Sequence, residues 1–273
     1  MKTKVGGAVY DFHTFHSLNV DHERVLAALA AAGDRYLANV PIQVEVEFRE
    51  VEQVPTQEYW FPEPSMSPEE FDRLTRELAQ EFLRGQPIMP ENVHEHIRRL
   101  AEAVRSYQDV RFRKGSGAVG GSFRPGLITI YLLPGQTGQS LTDHALSTLA
   151  HETYHAASFR TADRRRGIFR QHLNYQDERG YQVWEEIMAC FYAREACRLV
   201  GCPDEGEGDG VTRDFLSLGE AVLARIDLSF AGLNGLWLLT NPAAEAFWDA
   251  QGDAVFRSLH MANGWPSRPG ERR

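Results

Sequence analysis

Two histidines and a carboxylate, in the run His151-Glu152-Thr153-Tyr154-His155, carry the clearest chemistry in this chain. On a helix of 3.6 residues per turn, His151 and His155 lie about 40° apart on one face and can grip a single ion. Two imidazoles that leave further coordination positions open suit Zn2+. Glu152 sits one step round the helix, beside the ion rather than on it. There it can take a proton from a zinc-bound water, whose pKa falls to roughly 7. Such a site needs a third protein ligand.

The motif requires a helix packed by one face and open on the other. Leu146, Leu149, Ala150, Thr153 and Ala157 form one apolar stripe at helical spacing, and both histidines point away from it. Ser140, with Asp143 three residues later, reads as the N-cap. Position 161 is Thr, so the short Gly-and-His continuation of the metzincins is missing. The third ligand is sought on a second helix, about 179 to 200, whose stripe runs through Val183, Trp184, Ile187, Met188 and Phe191. Glu186 projects away from that stripe among Ala189, Cys190, Ala193 and Cys197, small neighbours that allow close approach. It is preferred as ligand; Glu185, in another lane, is the alternative and otherwise a helix charge or a partner to a ligand. His144 shares the histidine face but lies roughly 10 Å along the axis from His151, too far for the same ion. His172, in the arginine-rich connection between the two helices, is a minor candidate that could fold back; His13, His16, His22, His94, His96 and His260 show no ligand spacing.

Ser147-Thr148-Leu149-Ala150-His151-Glu152-Thr153-Tyr154-His155, an arginine-containing spacer and Tyr181-Gln182-Val183-Trp184-Glu185-Glu186-Ile187-Met188-Ala189 resemble the zincin-type metallopeptidase domain of ArdC-like antirestriction proteins. In that domain a strand, a helix bearing the His-Glu motif and a helix bearing Glu-Glu-hydrophobic-x-Ala follow in the same order. Residues 120 to 125 and 127 to 134 resemble the strand that enters its active-site helix, so the likeness covers about residues 93 to 202. It implies a zinc metallopeptidase (a hydrolase) with His151, His155 and Glu186 on the metal and Glu152 as general base. Two departures stand out. Thr153-Tyr154 replace the small or hydrophobic pair usual inside the motif, and Cys190 stands where the family tends to carry an acid. The family's N-terminal single-stranded-DNA-binding domain is not recognisable, so neither DNA binding nor antirestriction carries over.

With 42% hydrophobic and 25% charged residues, the composition is that of an ordinary globular protein. No apolar run approaches the roughly 20 residues that span a bilayer, and no secretory h-region is evident, so a cytoplasmic protein is expected. The three cysteines, Cys190, Cys197 and Cys202, form no CxxC pair and read as core or interface thiols. Net charge is −9, concentrated between residues 45 and 81, which argues against broad nucleic-acid binding. The run Arg160, Arg164, Arg165, Arg166 and Arg170 is the local exception and reads as a solvated connection, or as a site for an acidic segment.

Along the chain, a helix runs through Val25, Leu26, Leu29, Ala32 and Tyr36, and alternation at Ile42, Val44, Val46 and Phe48 marks a strand. Pro55 to Pro64 reads as a loop. Helices start at Ser67-Pro68 and after Pro90, short strands fall at 110–112 and 122–124, a stronger one at 127–132, and the glycines from 115 to 121 suggest a mobile loop. Helices near 213–226 and 243–262 follow, the latter capped by Asn241. The expected architecture is α+β and zincin-like: helix-dominated, with a small, mainly antiparallel sheet. Residues 1–92 form an N-terminal helical and strand extension, 93–265 the metallopeptidase domain and 266–273 a disordered tail. Strand 127–132 is the candidate to align an extended protein or peptide substrate by edge pairing. Tyr154, Tyr175 and Tyr181 are candidates to steady an oxyanion. Rival readings are a non-catalytic zinc-containing binding protein and an antirestriction-type factor of a mobile genetic element. The sequence assigns no oligomeric state.

Overall fold

Side chains that alternate between buried and exposed along Ile42, Val44 and Val46 commit β3 (Ile42–Glu50) to a sheet with one face inward. The computed structural model describes residues 2–5, 7–37, 40–62, 112–132, 135–172, 178–202 and 210–261, with positions 73, 76 and 80 between them. The helix expected after Pro90, Tyr175 and the tail from 266 lie outside the described residues, as does the helix expected after Ser67 apart from positions 73, 76 and 80, which are helical. β1 (Lys2–Val5) pairs antiparallel with β2 (Ala8–Phe12), which α1 (His22–Tyr36) joins to a parallel β3. β3 pairs parallel with β7 (Leu127–Leu132), and β7 antiparallel with β6 (Gly121–Arg124), giving the order β1-β2-β3-β7-β6.

The sheet is therefore mixed, with a parallel centre, rather than mainly antiparallel. Its parallel pairs arise because β2 to β3 and β3 to β7 are long connections, the first carrying α1, where an antiparallel pair needs only a tight turn. The boundary expected between 92 and 93 falls outside the described residues. β1, β2 and β3, from before it, share one sheet with β6 and β7, from after it.

The segment read as a Pro-rich loop is a strand, β4 (Thr56–Pro62), paired antiparallel with β5 (Phe112–Ala118). Proline at its last position costs no central ladder bond, and Tyr59-Trp60-Phe61 favour extended backbone. The glycines of β5 are not a mobile loop. A Cβ at Gly115 would come 2.6 Å from Phe61 Cε2, so glycine there lets the ring lie against the strand. Phe61 also stacks on Phe215, tying this ribbon to the helices at a centroid separation of 5.0 Å.

Seven α-helices occur among the described residues. After α1 come α2 (Gly138–Phe159), α3 (Ala162–His172), α4 (Glu178–Leu199), α5 (Gly210–Ile226), α6 (Phe230–Trp237) and α7 (Ala244–Met261). α2 begins before the expected cap: Thr137 is its N-cap and Ser140 lies inside, donating to the Thr137 carbonyl at 3.0 Å. α2 packs along α4 and both pack on α1, while α2 also covers the five-stranded sheet and α4 meets β4 of the ribbon. The stripe residues Leu146, Leu149, Ala150, Thr153 and Ala157 are all buried, as are Trp184, Ile187 and Met188 of α4. No helix among the described residues is long and apolar enough to cross a membrane.

Candidate metal centre

α2 presents His151 and His155 from the face opposite its buried stripe, and their Nε2 atoms approach to 3.1 Å. Glu186 comes from α4, where Ala189 and Ala193 let the two helices lie close. Its carboxylate oxygens stand 3.4 Å from His151 Nε2 and 3.8 Å from His155 Nε2. Among the described residues this is the one group of three such side chains that could hold a metal ion, with its donor atoms within 4.8 Å of one another. Burial pushes the Glu186 pKa up, but the hydrogen bond to His151 and the charges of both imidazoles outweigh it and lower the value below the ordinary carboxylate range.

Glu185, one residue earlier and about 100° round the helix, has different partners. Its carboxylate accepts from Ser158 Oγ at 2.6 and 2.5 Å and from Arg165 Nη2 at 2.5 Å. Arg165 is fully buried and also donates to the Tyr181 hydroxyl, Thr161 Oγ1, the Ser158 carbonyl and the Trp237 carbonyl. The arginine run is thus not wholly a solvated connection: Arg160 caps α2 and is exposed, while Arg164 and Arg165 lie on α3, with Arg165 inside and Arg164 paired with Glu245 at the surface. Arg166 stands over the Tyr181 ring at 4.9 Å from its centroid.

Glu152 is buried beside the histidines. Burial raises its pKa above the usual carboxylate value, against the lowering effect of His151 and His155. Gly120 and Gly121 cross α2 at this point. A Cβ at Gly121 would meet Thr148 Cγ2 at 2.6 Å, the Thr129 carbonyl oxygen at 2.9 Å and Glu152 Cγ at 3.2 Å. Only glycine lets β6 pass so near the carboxylate. These residues sit in a cleft of about 1000 Å³, bounded by α2 and α4, the start of β6, and Tyr59 and Trp60 of β4.

No family model, curated protein or solved structure matches the chain.

Other residues singled out by the sequence have separate roles. His144 Nε2 lies 2.8 Å from the Tyr131 carbonyl oxygen, and burial pushes its pKa down. His22 bonds the Phe15 carbonyl and His13 faces Glu45. His94 and His96, and the side chains of His172 and His260, lie outside the described residues. The Tyr154 hydroxyl is buried and donates to Asn234 Oδ1 at 2.9 Å, so it does not reach the cleft. Tyr181 lines the cleft, but its hydroxyl is held between Arg165 and Glu185. Strand β7 is paired on both sides, by β3 and β6, so it cannot take an added strand; β6 is the edge.

Cys190, read from the sequence as a core or interface thiol beside Glu186, is also a neighbour of His151. Cys190 Sγ lies 3.9 Å from His151 Nδ1, the ring nitrogen turned away from the donor cluster. Its spacing of four residues from Glu186 was the available signal, since i and i+4 share a helix face.

Proposed function

We propose that this chain is a zinc-dependent metallopeptidase that hydrolyses peptide bonds. The observation that carries the reading is the convergence of His151, His155 and Glu186 beside a buried Glu152 in one cleft. The donor set suits zinc. A four-coordinate zinc with bonds of about 2.0–2.1 Å sets its donors about 3.3 Å apart. The pairs here measure 3.1, 3.4 and 3.8 Å. The resemblance to the ArdC-like metallopeptidase domain implies the same activity.

Bound to these three residues, zinc would supply a Lewis acid that polarises a carbonyl and acidifies water. The chain's own residues do the rest. Glu152 accepts a proton as water attacks the peptide carbonyl carbon, and gives a proton to the departing amine nitrogen as the C–N bond breaks. Its raised pKa suits both halves of that exchange. In the antiparallel ladder Gly120 bonds Tyr131, so Gly121 and Phe123 direct their backbone N–H and C=O away from β7. That edge runs beside Glu152 and suits an extended peptide.

The test compares zinc-loaded wild type with Glu152→Gln on unfolded protein substrates. Cleavage by wild type, reduced at least 100-fold in a variant that still holds its metal, supports the reading. Equal cleavage by both proteins, or none by folded, metal-loaded wild type, sinks it.

A further inference from the structure

Most large apolar side chains of a folded chain are covered, and those left out beside a cleft call for an account. Three are exposed among the described residues, Val54, Phe159 and Leu199, and the first two line the cleft. Phe159 is the most open, at 52%. It follows His155 by four residues on α2, so the two share a face of the helix. Its ring meets that of Phe123 edge-on, with centroids 5.8 Å apart.

Phe123 ties this aromatic pair to the strand edge. Positions alternate along β6, so Phe123 lies on the same face as Gly121, whose neighbours are Thr148 and Glu152 of α2. Phe123 also turns its backbone N–H and C=O to the outer edge. A peptide paired there carries every second side chain on the α2 face, at a spacing of about 6.6–6.8 Å. The residue opposite Phe123 then meets both rings. Ala162, small and buried, also lines the cleft beyond Phe159.

Resting on the peptidase reading, we propose that Phe123 and Phe159 form a subsite for a bulky apolar side chain of an extended peptide, Leu, Phe or similar, within about two residues of the cleaved bond. The occupant is a substrate strand rather than a second copy of the chain, because the pair is continuous with the edge of β6 and with the metal-ligand face of α2. Phe159 determines specificity there and takes no part in the chemistry.

The test digests a randomised peptide library with zinc-loaded protein, and mass spectrometry reads residue preferences around each cleaved bond. Wild type should favour bulky apolar residues at one fixed position. Phe159→Ala should lower kcat/KM for those peptides by roughly tenfold while cleavage of peptides with Ala there changes little. Metal content and Tm of the variant should match wild type, since Phe159 is about half exposed. Cleavage with a preference unchanged in both Phe159→Ala and Phe123→Ala overturns the subsite and leaves the peptidase reading standing. No cleavage of any peptide by folded, metal-loaded wild type overturns both.

Discussion

Removing the Arg165 guanidinium should destabilise the fold by an amount the structure lets one work out. Arg165→Met keeps an apolar stem in the same space but leaves Glu185 ionised and without its cationic partner. It also strips a donor from the carbonyls of Ser158 and Trp237 and from the Tyr181 hydroxyl. Breaking a buried ion pair from one side costs about 3–5 kcal/mol, mostly the charge left behind. Glu185 keeps the Ser158 hydroxyl and a side chain 13% exposed, which sets the expected loss near the lower bound, about 3 kcal/mol. For a chain near this size each kcal/mol lowers Tm by roughly 2–4 °C, so the fall should be about 6–12 °C. Urea unfolding at pH 7 measures the free energy directly. Pairing the change with Glu185→Leu removes the stranded charge and should recover about half the loss, a positive coupling in a double-mutant cycle. A loss under about 1 kcal/mol for Arg165→Met, or a double variant no better than the sum of its parts, would refute the view that this buried pair is a linked unit.

Three further outcomes follow from the same geometry. Gly121→Ala forces a methyl against Thr148 and the Thr129 carbonyl oxygen; it should cost about 1–3 kcal/mol in urea unfolding and displace Glu152, whereas Gly126→Ala, strained only by its positive φ, should leave the cleft untouched. Zinc affinity, measured against a chromophoric chelator, should fall as pH falls from 8 to 6. Burial lowers the His151 pKa, but its hydrogen bonds to Cys190 and Glu186 and the Glu152 charge outweigh that and hold it well above the usual histidine value, so an incoming ion must displace a proton. An affinity that does not change with pH over that range would contradict this. Cys190→Ala removes the group beside His151 Nδ1 and should weaken zinc binding about 10-fold, with Cys190→Asp recovering it. An affinity equal to wild type in the alanine variant would show that the thiol does not orient the imidazole.

What the sequence made legible was local. His151, Glu152 and His155 are related by helical spacing alone, and Glu186 was picked out by its small neighbours on the same helix. The stripes that bury α2 and α4 follow from the same periodicity. What stayed hidden depended on partners far along the chain. The strands β1 and β2 are short, and it is pairing with each other and, for β2, with β3 that makes them strands. β4 was masked by Pro62 and the prolines that flank it, and β5 by its glycines, because both tolerate extended backbone only where a neighbour completes the sheet. The parallel order at the centre leaves no mark on the alternation of β3, since burial pattern is the same for either direction. In the arginine run, five similar side chains gave no sign that Arg165 would turn inward. Its burial follows from Glu185, Ser158 and Tyr181 converging on it from two other helices.

We infer that His151, His155 and Glu186 hold one zinc ion. Metal content by inductively coupled plasma mass spectrometry tests it most directly, on purified wild type, His155→Ala, Glu186→Ala and Glu185→Ala. About one zinc per wild-type chain is expected, lost in His155→Ala and Glu186→Ala and kept in Glu185→Ala, because Glu185 serves Arg165 instead of the ion. Folded wild type that takes up no zinc when supplied with it, or zinc lost with Glu185 and kept without Glu186, would contradict it.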